Sequence, residues 1–214
     1  MKTTRFCLVR HGETDWNVAR RLQGHTDIPL NAHGIAQAAQ LAQSLGESKL
    51  QFDVLYTSDL QRAADTANAI VETFQTTAIR SSALRERHLG SLQGLTLDEA
   101  SISEPELWRA HLARELDHKM SGGESISQFA SRIGDVMEKL SREHPGKTIL
   151  LVSHGGVLDM MYRITTNQAL DAERIAVVPN ASLNWISHNG MSWKLDCWAD
   201  TSHLDGITLD NLDL

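Results

Sequence analysis

Arg10 and His11 stand side by side where the apolar run Phe6 to Val9 meets Gly12. A guanidinium offers phosphate a planar fork of donors, and an imidazole can attack phosphorus or move a proton near neutral pH. One Arg-His pair at a strand end is commonplace. A second apolar run, Ile149 to Val152, closes in Ser153-His154-Gly155-Gly156, so two strand-like segments each deliver a histidine followed by glycine. Gly155 and Gly156 open a helix running through Val157, Leu158, Met160 and Met161. A helix start with bare N–H groups and a positive dipole end suits an anion.

Three more places add to this pair. Arg62 lies one turn into the helix that follows the strand expected at Phe52 to Tyr56, with Ser58 and Asp59 read as its caps, so Arg62 and Ser58 share one sheet edge with His11. Asn17 and the polar loop from Arg20 to Gly24, including Gln23, can fold over the same edge. Glu86 sits among Arg85, Arg87 and His88. A carboxyl in such company is commonly a surface ion-pair partner, but in an enclosed phosphate site it can serve as general acid. The 10 histidines are scattered through unrelated elements, without His-Glu-x-x-His or Cys/His metal spacing, so neither a metal nor another cofactor is expected.

The surrounding pattern alternates strand and helix. Asn31 caps a helix carrying Ile35, Ala38, Ala39, Ala42 and Leu45 on its apolar face, and a later one carries Ala63, Ala67, Ile70, Val71 and Phe74. Thr77 to Ile79 reads as a short third strand. Ser125 to Gln128 matches a capping box ahead of the stripe Phe129, Ile133, Val136, Met137 and Leu140, which Pro145-Gly146 ends. Ala181 to Ser187 and Ser192 to Trp198 form a closing hairpin around Asn189-Gly190. This order predicts an α/β three-layer sandwich, a mainly parallel central sheet with helices on both faces. Open sheets of that kind bind ligands at the C-terminal ends of their strands.

At 214 residues the chain is read as one domain, 1–214, with an acidic extension from about 199 that holds four aspartates and is expected to be solvated or loosely docked. A net charge of -7 speaks against nucleic acid, so any phosphate pocket must be a local concentration of positive charge. The four-residue apolar run Phe6 to Val9 is too short for a membrane span or a signal-peptide core. Cys7 and Cys197 read as reduced core residues of a cytoplasmic protein. Oligomeric state stays open, a homodimer included.

LVRHGETDWN at 8–17, YTSDLQRAADTA at 56–67, ERHLGSLQGLT at 86–96 and VSHGG at 152–156 together resemble the histidine phosphatase superfamily, the phosphoglycerate mutase-like group, in family order. NASLN at 180–184 resembles a softer further signal. The resemblance implies a phosphohistidine on His11, a phosphate pocket of Arg10, Arg62 and His154, a further donor from Asn17, and Glu86 as general acid/base. Gln23, Gly24, Ser58, Arg87 and Gly155 are then expected around the substrate, with a cationic His154 helping to bind phosphate.

The mutases of that group are similar but longer, with a basic insertion after the third block. Here the corresponding stretch, Asp98 to His118, is mixed in charge, with Arg109 and Arg114 its only arginines. Specificity is expected in Gln23, Arg87, His88 and that stretch, with Trp108 as a lid anchor or a core residue. The leading expectation is a metal-independent phosphatase of small phosphorylated metabolites. A 2,3-bisphosphoglycerate-dependent mutase and a non-catalytic binding module are the alternatives, the latter disfavoured because nucleophile and acid are both present.

Overall fold

A computed structural model describes residues 2–206 and 209–210. β1 (Thr4–Arg10) leads through the short α1 (Asp15–Val18) to α2 (Ala32–Glu47) and β2 (Val54–Ser58). α3 (Gln61–Phe74) and β3 (Ala78–Ser81) follow, then α4 (Leu97–Ser103) and α5 (Pro105–Leu112). The long α6 (Ile126–Glu143) precedes β4 (Thr148–Ser153) and α7 (Gly155–Thr166), and β5 (Leu183–His188) with β6 (Trp193–Asp200) complete the order.

The sheet is six-stranded, β3-β2-β4-β1-β5-β6. Its β3, β2, β4 and β1 pair in parallel, whereas β5 and β6 run antiparallel at one side. Strands covered on both faces need apolar side chains pointing both ways, and β1 and β4 have them. Phe6, Leu8, Ile149 and Leu151 pack with Phe129, Ile133, Met137 and Leu140 of α6 and Val157, Leu158 and Met161 of α7. The intervening Cys7, Val9, Leu150 and Val152 pack with Leu41, Ala42 and Leu45 of α2 and Ala63, Ala67 and Ile70 of α3. Full burial of one such large side chain contributes about 2 kcal/mol, so these two cores hold the strand ends in place. The sandwich is the one expected.

Local chemistry sets several boundaries. Asn31 caps α2 through the Gly34 amide, and Ser125 and Gln128 form the expected capping box on α6. β2 and β3 lie about two residues later than the spacing suggests, because β2 stays paired with β3 as far as Ser58 opposite Ser81. Ser58 and Asp59 are therefore not the caps of α3: its N-cap is Leu60, and Asp27 Oδ1 accepts the Gln61 amide at 2.7 Å. The buried stripe of α2 runs through Gly34, Gln37, Ala38, Leu41, Ala42 and Leu45, leaving Ala39 exposed and Ile35 60% exposed. Gly34 is on the buried side because α2 meets the turn after β1, where a Cβ on Gly34 would lie 2.1 Å from the Glu13 carbonyl oxygen.

Other expectations are corrected. Cys197 is exposed on β6, and only Cys7 is a core thiol. Of the two readings of Trp108 the core one holds: with Leu22, Leu89, Leu92, Ala100 and Met120 it forms a small third cluster. The acidic extension is neither wholly solvated nor loose in its described part. β6 reaches Asp200, and Asp210 pairs with Arg174 at 2.5 Å and accepts the Val178 amide at 2.7 Å. Residues 207–208 and 211–214 lie outside the described part.

Candidate active site

The parallel register puts Arg10 opposite Ser153, so His11 and His154 leave the sheet together, and β2 ends beside them at Ser58. The two imidazoles face one another with ring centroids 5.3 Å apart. Each is almost wholly buried, as are Arg10, Arg62 and Glu86.

His11 is held at one nitrogen. Its Nδ1 lies 2.7 Å from the Gly12 carbonyl, an acceptor, so Nδ1 carries the proton and Nε2 keeps its lone pair. The turn beneath is pinned as well: Gly12 N–H donates to Thr66 Oγ1 at 3.0 Å, and Asn180 Nδ2 donates to the His11 carbonyl at 3.0 Å. Burial chiefly, then the charges of Arg62 and Arg10, hold the His11 pKa well below the ordinary imidazole value. His11 is a neutral base at physiological pH.

The same causes act on His154, burial first and Arg62 next, so it too is held neutral rather than cationic as the sequence suggested. Its Nε2 lies 2.8 Å from Ser58 Oγ, which also accepts the Leu60 amide at 3.3 Å. Among the described residues the buried His154 Nδ1 has no hydrogen-bond partner.

The arginines are fixed by backbone carbonyls. Arg62 Nη1 donates to the Thr26 carbonyl at 3.0 Å and Nη2 to Gly24 at 2.8 Å. Gly24 presents that carbonyl with φ of +50°, where a Cβ would also collide with Gln93. Arg10 Nη1 donates to the Val178 carbonyl at 2.6 Å and reaches that of Leu209 at 3.4 Å. Two buried guanidiniums bracketing two neutral imidazoles make the local positive site that the overall negative charge concealed.

Glu86 comes from the segment after β3. Its Oε2 accepts the Gly156 amide at 2.8 Å and its Oε1 the Arg87 amide at 2.9 Å. The first turn of α7 thus holds the carboxyl beside the His154 turn, and Gly155, the first residue of α7, is buried there. Asn17 closes the capping box of α1: its Oδ1 accepts the Thr14 amide at 3.0 Å, so what its side chain offers an anion is the amide N–H. The Thr14 hydroxyl also donates toward Gln23 Oε1 at 3.1 Å.

Arg87 lies to one side. Together with Glu86, Gly156, His111 and Arg114 it lines an adjoining cavity, while its Nε donates to the Glu124 carbonyl at 3.0 Å. Thr66, Asn180, His111 and Arg174 were not singled out individually from the sequence. Thr66 sits one helical turn beyond Arg62, an i, i+4 signal, and Asn180 opens the NASLN block.

No group of three or more His, Cys, Asp and Glu among the described residues is arranged to hold a metal ion. No helix of the described residues is long and apolar enough to cross a membrane.

Comparison with known proteins agrees with this geometry. The family model of the histidine phosphatase superfamily (branch 1) matches residues 6–201. A metal-independent phosphoserine phosphatase of Arabidopsis thaliana is 42% identical over 209 residues, 96% of this chain and 85% of that protein. A probable phosphoglycerate mutase of Serratia proteamaculans is 36% identical over 211 residues, 96% of this chain and 97% of that one. The solved structure of Bacillus stearothermophilus YhfR superposes with a TM-score of 0.85 at 29% identity, covering 94% of this chain and 100% of its own. With its two strand-end histidines and buried arginines in the order of that family, this chain belongs to the histidine phosphatase superfamily.

Proposed function

We propose that the chain is a metal-independent phosphatase that hydrolyses small phosphomonoesters through a phosphohistidine on His11. The observation that carries this reading is the 2.7 Å bond from His11 Nδ1 to the Gly12 carbonyl. It leaves an uncharged nucleophilic nitrogen, Nε2, inside a site rich in buried guanidinium.

In the first step Nε2 attacks phosphorus and the ester P–O bond breaks, while Glu86 gives its proton to the departing oxygen. In the second, water attacks phosphorus, the P–N bond breaks, and the Glu86 carboxylate takes the proton from water. Arg10 and Arg62 neutralise the phosphoryl oxygens in both steps, and Asn17 adds an N–H. Ser58 Oγ, which accepts the Leu60 amide, is the hydrogen-bond partner of His154 Nε2 and positions that ring. His154, held neutral by burial and the neighbouring arginines, contributes a second imidazole beside the phosphoryl group.

The first substrate to test is phosphoserine, named for the Arabidopsis thaliana relative. One domain and a cytoplasmic location belong to the same reading. The family match spans 6–201, and Cys7 and Cys197 are both free thiols.

The test is a phosphorus NMR time course on phosphoserine and on 3-phosphoglycerate with catalytic 2,3-bisphosphoglycerate, with chelator present. Inorganic phosphate growing in without 2-phosphoglycerate is the expected result. Equilibration to 2-phosphoglycerate would make the chain a mutase.

A further inference from the structure

The first turn of α2 rests directly on the backbone that follows β1, where a Cβ on Gly12 would lie 2.5 Å from the Gly34 carbonyl oxygen. Glu13 is gripped there at several points. Asn31 donates its amide N–H to the Glu13 carbonyl at 3.0 Å and its Nδ2 to the Glu13 carboxylate at 2.9 Å. One turn beyond Gly34, Gln37 reaches the same residue, and its Oε1 accepts the Glu13 amide at 2.8 Å.

Gln37 is out of place on that helix face by composition. It is 1% exposed and shares the buried stripe of α2 with Ala38, Leu41 and Ala42. A backbone N–H demands an acceptor, so Oε1 faces Glu13 and Nε2 points away. Among the described residues that buried Nε2 has no hydrogen-bond partner. A polar group left so is rare and lowers stability, so the bond made by the other end of the amide is what the position retains.

The N–H that Gln37 accepts and the carbonyl that holds the nucleophile are two ends of one peptide unit. His11 Nδ1 lies 2.7 Å from the Gly12 carbonyl, and the Gly12 carbonyl and the Glu13 N–H form the Gly12–Glu13 amide. That amide is trans, so its C=O and N–H point to opposite sides, His11 standing on one and Gln37 on the other. Hydrogen bonds in a chain polarise one another, so an acceptor on the N–H makes the C=O a stronger acceptor in turn. Both steps at His11 gain from this. A proton fixed on Nδ1 leaves Nε2 free to attack phosphorus. Once the P–N bond has formed, the ring keeps the Nδ1 proton and carries positive charge, which a polarised carbonyl stabilises.

We infer that Gln37 is a positioning residue for the nucleophile: through the Gly12–Glu13 amide it keeps the His11 proton on Nδ1 and supports the ring while it carries the phosphoryl group. Gln37 touches neither substrate nor imidazole and acts through a single peptide unit. The inference rests on the proposed role of His11 as nucleophile.

The test joins a spectrum to kinetics. Protein labelled with nitrogen-15 in its histidines is examined by NMR without substrate, the His11 signals being those missing from His11→Ala. The unaltered protein should show a protonated Nδ1 and an unprotonated Nε2 at His11. In Gln37→Leu the two should move toward each other as the tautomers mix. Its kcat on p-nitrophenyl phosphate should fall about 10- to 100-fold, with KM within about threefold. Gln37→Glu keeps an acceptor in either protonation state and should restore the tautomer and most of kcat. Melting curves check folding, and if Gln37→Leu does not fold, the unbranched Gln37→Met takes its place. A native tautomer and kcat in the variant without the acceptor, whatever its loss in Tm, overturns the inference, as does an equal loss in Gln37→Glu. The tautomer is read without turnover, whereas undiminished hydrolysis by His11→Ala would overturn the reaction itself, so the two failures are distinct.

Discussion

The carboxyl of Glu86 is anchored to Gly156, two residues beyond His154, through a 2.8 Å bond from the glycine amide. Residues far apart in the chain are thereby placed by one contact at the first turn of α7. That turn has no space to spare: a Cβ on Gly156 would lie 2.3 Å from Glu86 Oε1.

Gly156→Ala should therefore act on catalysis more than on stability. Alanine favours a helix by up to about 1 kcal/mol over glycine, while the added methyl must displace the carboxyl. The expected result is a kcat lowered by about 10- to 100-fold with KM changed less, measured by steady-state phosphate release. An unchanged kcat would mean that the Glu86 position is not critical.

Asn180 supports the nucleophile from behind, since its Nδ2 donates to the His11 carbonyl. Asn180→Ala removes a buried hydrogen bond and should cost about 1–2 kcal/mol, together with a fall in kcat. Asn180→Asp should be worse, because it puts an acceptor against a carbonyl. Melting curves and kcat for both variants check the order.

Acid should destabilise the fold from about pH 6.5 downward. His11, His154 and His111 all have folded pKa values depressed by burial. Below the ordinary imidazole value the unfolded chain takes up protons that the folded chain refuses, so stability falls as pH falls. The window opens at the unfolded value near 6.5 and, for His111, extends down to about 3. Between pH 7 and 5.5 a loss of roughly 5–10 °C in Tm is expected, and His111→Leu should flatten the slope by about one proton.

The tail contact joins the two ends of the site. Asp210 holds Arg174 and the Val178 amide, and the Val178 and Leu209 carbonyls receive Arg10 Nη1. Asp210→Ala should raise KM for phosphoserine several-fold by loosening both, with a smaller effect on kcat. An unaltered KM would show that the contact does not matter for binding.

Much of this site was readable in the sequence, because strand, glycine and helix starts are local signals and each site block carries its own. The two histidines, Arg62 and Glu86 fall at such starts or between such blocks. Side-chain partners across the fold were not readable. Ser58 has the composition of a cap, yet the pairing of β2 with β3 carries the strand past it and turns its hydroxyl to His154. Ile35 belongs to an apolar stripe on a helix rich in alanine, where two faces look alike. The close approach of Gly34 to the β1 turn chooses between them. Arg87 and His111 are 24 positions apart and meet only because the segment carrying α4 and α5 packs back through Trp108. The acidic tail hid its docking for a similar reason: the Asp210 partner, Arg174, is 36 residues away.

The most direct measurement is to quench the protein during turnover of phosphoserine in alkali, digest it, and locate bound phosphate by mass spectrometry. Acid-labile, alkali-stable phosphate on the peptide carrying His11, absent from His11→Ala, is the expected result. Steady hydrolysis with no phosphate on His11, or undiminished hydrolysis by His11→Ala, would contradict a phosphohistidine at this position.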